Sequence, residues 1–307
     1  MIDRLMLLDT ASLYFRAFHG VPDRVKAPDG TSVNAVRGLL DIVAKLVTLH
    51  RPTQVIACWD DDWRPQWRVD LIPSYKAHRV AQVVPQGPDV EEVPEALQQQ
   101  LPLIREALEA IGIPIIGAAE HEADDVIGTL ATRSALPVDI VTGDRDLFQL
   151  VDDAQGVRVV YTARGMSNLE IVTDAVVVAK YGVLPSQYAD FATMRGDASD
   201  GLPGVKGVGE KSAAALLQAH GDLQGIREAA AAGRLSAAAS ARFADASDYL
   251  DVAPAVVQVV RDLDVVAPGA PVRGSDAAGT AAAQRLAERW NLGTSMTRAL
   301  AALSSAD

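Results

Sequence analysis

Four aspartates in this chain stand directly behind runs of apolar residues. Asp9 follows residues 5–8, Asp60 follows 55–59, and Asp144 and Asp146 follow 138–141 through Thr142 and Gly143. Glu122, Asp124 and Asp125 open a helical segment, and Asp197 and Asp200 bracket Ala198 and Ser199 in a glycine-rich turn. One aspartate after a strand is ordinarily a turn residue or a cap, and a helix dipole accounts for one or two acids at a helix start. Neither accounts for nine carboxylates without obvious matching lysines, whose repulsion opposes folding unless positive charge sits among them. Oxygen donors alone, with no Cys or His motif to select zinc, point to Mg²⁺ or Mn²⁺. Two such ions about 3.5–4 Å apart suit in-line displacement at phosphorus. Glu122 and Asp125, three apart, share a helix face. Asp124 points about 100° away from Asp125 and takes a weaker, water-mediated role.

The elements that must position these acids are legible as periodicities. Apolar runs at 5–8, 55–59, 113–116, 138–141 and 157–161 lack polar alternation, as parallel strands covered on both faces do. Between them Val36, Leu39, Leu40, Val43, Leu46 and Val47, and then Leu101, Ile104, Leu108 and Ile111, follow helical spacing. The expectation is an α/β fold with a parallel sheet, whose strand ends collect the acids along one edge. Residues 64–100, with five prolines and no period, read as a functional insert. Beyond Gly182 the pattern is helical throughout. The division expected is an α/β core over 1–184 and a helical region over 185–307, with a linker at 268–274 before a last helix near 281–290.

The chain has 307 residues, a net charge of −12 and one cysteine, Cys58. That excludes an intramolecular disulfide framework and a cysteine-rich zinc site. Cys58 reads as a small apolar filler, and His121 as a polar residue entering a helix rather than a ligand. No run of about 18 apolar residues occurs, so no membrane association and a cytoplasmic location are expected. The acidic balance does not exclude a nucleic-acid partner, because binding depends on where charges sit and a metal-holding cluster itself supplies the deficit.

Within the insert, Arg64, Arg68, Lys76, His78 and Arg79 alternate with Trp63, Trp67 and Tyr75. Cations among flat rings can hold a single strand by phosphate contact and stacking; a solvated polar loop is the equal alternative, with Trp63 and Trp67 as anchors. Downstream, Gly201 to Lys211 reads as a helix–hairpin–helix element within about 186–220. Gly207 and Gly209 let backbone amides approach phosphate at a helix start, and Lys206 and Lys211 add charge there.

Taken in order, these segments resemble the 5′-nuclease family of flap endonucleases and the 5′–3′ exonuclease domain of bacterial DNA polymerase I. The matching residues include Leu8-Asp9-Thr10, Tyr14 to His19, Trp59-Asp60, Tyr75 to Arg79, Glu122 to Gly128, Thr142 to Leu147 and Arg195 to Lys211. The resemblance covers about 5–217 and implies a stand-alone bacterial enzyme with a PIN-like parallel-sheet core, a helical arch over 64–100 and the hairpin region behind it. It implies a structure-specific 5′ nuclease, exonuclease and flap endonuclease, working in replication and repair and leaving a 5′-phosphate. Asp9, Asp60, Glu122, Asp124 and Asp125 would surround one metal ion, and Asp144, Asp146, Asp197 and Asp200 the other, with Asp125 or Asp124 between the sets. Lys76 would stabilise charge on the scissile phosphate, Arg79 would assist or steer the strand, and Arg16 would hold a phosphate. Tyr75 and His78 belong to the same strand-holding set, and the hairpin carbonyls would hold K⁺. The implied partner is DNA with free 5′ ends, flaps or nicks, an RNA–DNA hybrid included, bound by a monomer without a protein partner. Departures fall at Asp61, Asp62 and Trp63 in the insert, at Gly201 for a common asparagine and at Ser212 for a common threonine. The alternatives weighed are a metal-dependent ribonuclease of related acidic-site fold and an inactive DNA-junction binding module. A phosphatase with an aspartate nucleophile needs a second acid after the first strand, where Ala11 stands.

Overall fold

The computed structural model describes residues 3–84, 87, 89–268 and 277–304. Eight strands form: β1 (Leu5–Asp9), β2 (Gln54–Cys58), β3 (Val80–Gln82), β4 (Val90–Glu91), β5 (Ile115–Ile116), β6 (Val138–Thr142), β7 (Val157–Tyr161) and β8 (Glu170–Val172). Six of them make one sheet in the order β5-β2-β1-β6-β7-β8. All its pairs are parallel except β7 with β8.

Continuous apolar sequence becomes a buried strand here because the sheet is covered on both faces. Along β1, Met6 and Leu8 enter one core while Leu5 and Leu7 enter the other. In β2, Val55 and Ala57 share the first core, and Ile56 and Cys58 the second. The period of two therefore sorts residues between two apolar layers rather than between core and water. Helix Asn34–His50 covers one face with Val36, Leu39, Leu40 and Val43, and helix Ala123–Arg133 covers the other with Val126, Ile127 and Leu130.

Three features differ from the expectations. β8 is an antiparallel edge strand of three residues, too short to register as an apolar run. The insert is folded: helix Gln66–Leu71, the antiparallel β3–β4 pair and helix Glu95–Gln98 occupy it. After Gly182 the chain is helical, through Tyr188–Arg195, Glu210–His220, Leu223–Ala231, Ala237–Asp245 and Ser247–Val257. The last two helices, Ala277–Arg289 and Thr294–Ser304, belong spatially to the α/β half. Met296, Ala299, Leu300 and Leu303 share the core of helix Asn34–His50, and Arg298 Nε donates to Asp41 at 2.9 Å. Of the expected linker, all but Pro268 lies outside the described residues. Among the described residues no helix is long and apolar enough to cross a membrane.

Candidate active site

Strand register decides which acids meet. Asp9 ends β1 level with Cys58 of β2, while Leu8 is level with Val141 of β6. Asp60 and Asp144, just past those strand ends, therefore emerge beside Asp9 at the carboxyl edge. Asp9 caps helix Thr10–Gly20 by accepting from Ser12 N at 3.2 Å, and it accepts from Thr142 Oγ1 at 2.6 Å. Thr142 Oγ1 in turn accepts from Asp144 N at 2.8 Å. Asp60 accepts at 2.7 Å from Ala123 N, one of the amides a helix start leaves free. Asp9, Asp60, Glu122, Asp124 and Asp144 line a cavity of about 260 Å³, with Lys76 and Arg79 facing them from the insert.

These carboxylates are short of positive charge. Burial, reinforced by Asp60 and Asp144, pushes Asp9 up to about 7 against its hydrogen bonds. Asp60 rises to about 6, again first from burial. Asp124 is driven well above the usual carboxylate range by burial and then by Asp9 and Asp144. Asp146 behaves alike, through burial and then Asp144, Asp200 and Asp197. Asp200 is raised by burial against the pull of Lys76.

Glu122 and Asp197 are the exceptions. Burial alone would raise Glu122, but Lys76 and Arg68 outweigh it and hold the carboxyl below its ordinary value. Its partners are the Lys76 ammonium, Tyr75 OH at 2.6 Å and Arg68 Nη1 at 2.7 Å. Asp197 is likewise lowered against burial, by hydrogen bonds from Ser199 and by Arg195, whose Nη2 lies 3.3 Å away.

The insert joins the two acidic sets. Lys76, held at φ +48, donates its backbone N–H to Asp200 O at 2.9 Å. Arg79 Nη2 reaches Ser199 O at 2.8 Å and Asp200 Oδ1 at 3.1 Å. Gly201 makes that approach possible, because its φ is +71 and a Cβ there would lie 2.0 Å from Ser74 O. Glycine at this position is thus matched to the base of the insert.

Several expected residues take other places. Asp125 is fully buried and does not line the cavity, whereas Asp124 does. The helical-wheel expectation fails because Glu122 is the N-cap, with extended φ −84 and ψ 162, and Asp125 reaches back to its amide at 3.4 Å. Arg64 and Arg68 are 7% and 3% exposed and hold the insert rather than a strand. Arg64 donates to Tyr75 O at 2.6 Å and Pro73 O at 3.1 Å. Tyr75 is buried against Glu122 and offers no ring face for stacking. Trp63 and Trp67 are anchors through Asp89 O and Glu120 O.

His78 is exposed on the insert. Arg16 lies beside the cavity wall, its Nη2 3.5 Å from the position of a Cβ on Gly143, and its buried Nε has no partner. His121 is turned to Ala119 O and away from the cavity lining. Lys206, Gly207, Gly209 and Lys211 are exposed at the hairpin before helix Glu210–His220.

Three residues carried no usable signal in the sequence. Glu91, from β4, lines the cavity. Thr142 bridges two strand ends, and Arg242 donates to Gly207 O at 3.3 Å from helix Ala237–Asp245. Among the described residues no three His, Cys, Asp or Glu side chains close into a ready metal cluster. The carboxylates ring the cavity instead, so their fit to a divalent ion rests on oxygen-only donors and surplus buried charge.

The model of the 5′-3′ exonuclease N-terminal resolvase-like domain matches residues 4–182, and that of the 5′-3′ exonuclease C-terminal SAM fold matches 183–275. A 5′-3′ exonuclease of Streptomyces coelicolor is 57% identical over 98% of this chain and 100% of its own length. Another from Mycobacterium tuberculosis is 52% identical over 85% of each. Among solved structures, a T5 5′-exonuclease with bound divalent metal ions (zinc) is similar in fold, at TM-score 0.63 and 18% identity, covering 83% of this chain and 89% of that one.

Proposed function

The chain belongs to the 5′-3′ exonuclease family, and from that premise we propose that it hydrolyses DNA at free 5′ ends, flaps and nicks in a reaction dependent on divalent metal. The observation that carries the reading is the cavity where carboxylates from three strand ends and one helix start face Lys76 and Arg79. Asp9, Asp60, Glu122, Asp124 and Asp144 would hold the ion on one side, and Asp146, Asp197 and Asp200 extend the acid set beyond Asp144. Bound there, Mg²⁺ or Mn²⁺ supplies an activated water and neutralises the phosphate.

The chain's own residues do the rest. Lys76 and Arg79, which line the cavity, would bind the scissile phosphate and stabilise charge growing on it. Arg16, with an unsatisfied buried Nε, supports a second phosphate contact. The insert would bound the passage for an unpaired 5′ end. The exposed hairpin amides with Lys206 and Lys211 would grip duplex behind the cut, and hairpin carbonyls would take K⁺. In this division the first 184 residues carry most of the chemistry, Asp197 and Asp200 complete the acid set from the start of the helical region, and the hairpin behind them holds the duplex. The test is cleavage of one labelled set of flap, nicked and blocked-end duplexes with Mg²⁺ or Mn²⁺. Products bearing 5′-phosphate from the open ends support the reading, and uncut substrates under both ions overturn it.

A further inference from the structure

Asp125 is fully buried, although it neighbours the cavity in sequence. Its Oδ1 accepts from Arg68 Nη2 at 2.7 Å and from Val260 N at 2.9 Å. Arg68 comes from helix Gln66–Leu71 at the root of the insert, and its Nη1 donates to Glu122 Oε1 at 2.7 Å. The guanidinium lies over the Trp67 ring at 4.6 Å, and Trp67 is itself tied to Glu120 O at 3.1 Å. One arginine thus spans the N-cap acid and a first-turn acid of the site helix, with one acid on the cavity and one behind it.

We propose that Asp125 is the counter-ion of Arg68 rather than a metal ligand, and that Arg68 is a positioning residue that fixes the Glu122 carboxylate at the cavity wall. The inference rests on the divalent-metal reading above and refines it. A fully buried carboxylate with Oδ1 taken by a guanidinium and a backbone amide, and Oδ2 turned to the Glu122 amide at 3.4 Å, presents no free oxygen to the cavity. A buried guanidinium with Glu122 as its sole acid would also compete for Glu122; Asp125 balances it, leaving Glu122 oriented yet shared. Of the two adjacent aspartates, Asp124 is the one that lines the cavity.

The test is Mn²⁺ binding to the full chain without DNA, followed by the paramagnetic resonance of free Mn²⁺. Asp124→Asn is expected to weaken binding at least about tenfold, and Asp125→Asn to leave it within about threefold. Alongside, Arg68→Gln, Asp125→Asn and the double variant form a cycle read by single-turnover cleavage. A counter-ion pair predicts a double variant no slower than the slower single, and Arg68→Lys partly restores the rate. Asp125→Asn that folds cooperatively yet loses Mn²⁺ as fully as Asp124→Asn overturns the proposal and leaves the metal reading standing. Undiminished Mn²⁺ binding by both overturns the metal reading and this inference with it. Should Asp125→Asn fail to fold, the charge-free pair Arg68→Met with Asp125→Leu carries the same comparison.

Discussion

Thr142 Oγ1 donates a 2.6 Å hydrogen bond to Asp9 from the end of the neighbouring strand. That bond favours the charged carboxylate and is the chief opponent of the burial that lifts Asp9 to about 7. Thr142→Val keeps the shape and removes the donor, so the Asp9 carboxyl should rise by roughly one further unit. The expected outcome is an acid limb of kcat/KM moved to higher pH by about that amount, measured across the profile in Mg²⁺. An unmoved limb would separate Asp9 from the ionisation that controls cleavage.

Lys76 makes the ion pair with Glu122 and faces the cavity at the same time. Lys76→Met removes the charge without adding polarity, and single-turnover cleavage should slow by roughly 10²–10³-fold, as for loss of one donor to a developing anion. Duplex affinity, which the proposal assigns to the exposed hairpin, should change little. A fall in affinity equal to the fall in rate would assign Lys76 to binding instead.

The raised acids also predict how stability responds to pH. A carboxyl raised in the folded state takes up protons more readily there than unfolded, so stability increases as pH falls through the folded value. For Asp9, raised from 3.8 to about 7, lowering the pH from about 8 to about 6.5 contributes about 1 kcal/mol. Asp60, Asp124 and Asp146 shift in the same sense. Below 6.5 the half-buried His50, whose pKa is lowered first by burial, works the other way, because the unfolded chain is protonated first. Thermal unfolding in chelator should therefore show a midpoint roughly 2–4 °C higher near pH 6.5 than near pH 8. Saturating Mg²⁺ should reverse that order, since only charged carboxylates hold the ion. A metal-free midpoint that falls over the same interval would contradict the buried-charge account.

Much of this arrangement was legible in the sequence, for a physical reason. β1, β2, β6 and most of β7 are buried on both faces, so largely apolar runs of four or five residues announced them, and the acids behind them followed from strand polarity. The insert gave no such signal, because β3 and β4 are short and largely exposed, and Glu91 therefore entered the cavity unannounced. Asp124 and Asp125 exchanged places because a wheel drawn from Glu122 treats an N-cap as a helical residue. Arg68 was legible as a cation but not as a buried one, since its two acids lie 54 and 57 positions away in sequence. The return of helix Thr294–Ser304 onto helix Asn34–His50 is likewise a long-range packing result without a local cue.

At the hairpin, Lys206 and Lys211 are exposed beside Gly207 and Gly209, and Arg242 adds a third cation against Gly207 O. Each that meets a phosphate should lower the dependence of log affinity on log salt by about one unit when changed to alanine. Titrating nicked duplex at several salt concentrations, with cleavage suppressed by chelator, measures that slope. Unchanged slopes for Lys206→Ala and Lys211→Ala would remove the hairpin from the duplex contact.

Gly201 links the two halves of the site, since Asp197 to Gly201 carries the second acids and its backbone lies against Ser74 of the insert. Gly201→Ala forces a side chain into φ +71 and puts its Cβ 2.0 Å from Ser74 O, a backbone atom that cannot swing aside. The left-handed backbone alone costs about 1–2 kcal/mol, and the overlap should bring the loss to about 3 kcal/mol. Gly20→Ala, where nothing lies within 4 Å, serves as the comparison and should stay within about 0.5 kcal/mol. Because the Lys76 N–H to Asp200 O bond crosses the same junction, Gly201→Ala should also slow cleavage more than it weakens duplex binding. Denaturant unfolding and single-turnover rates on the same two variants check both halves of that expectation. If Gly201→Ala were as stable and as fast as Gly20→Ala, the insert would not be seated on the second acidic loop at all.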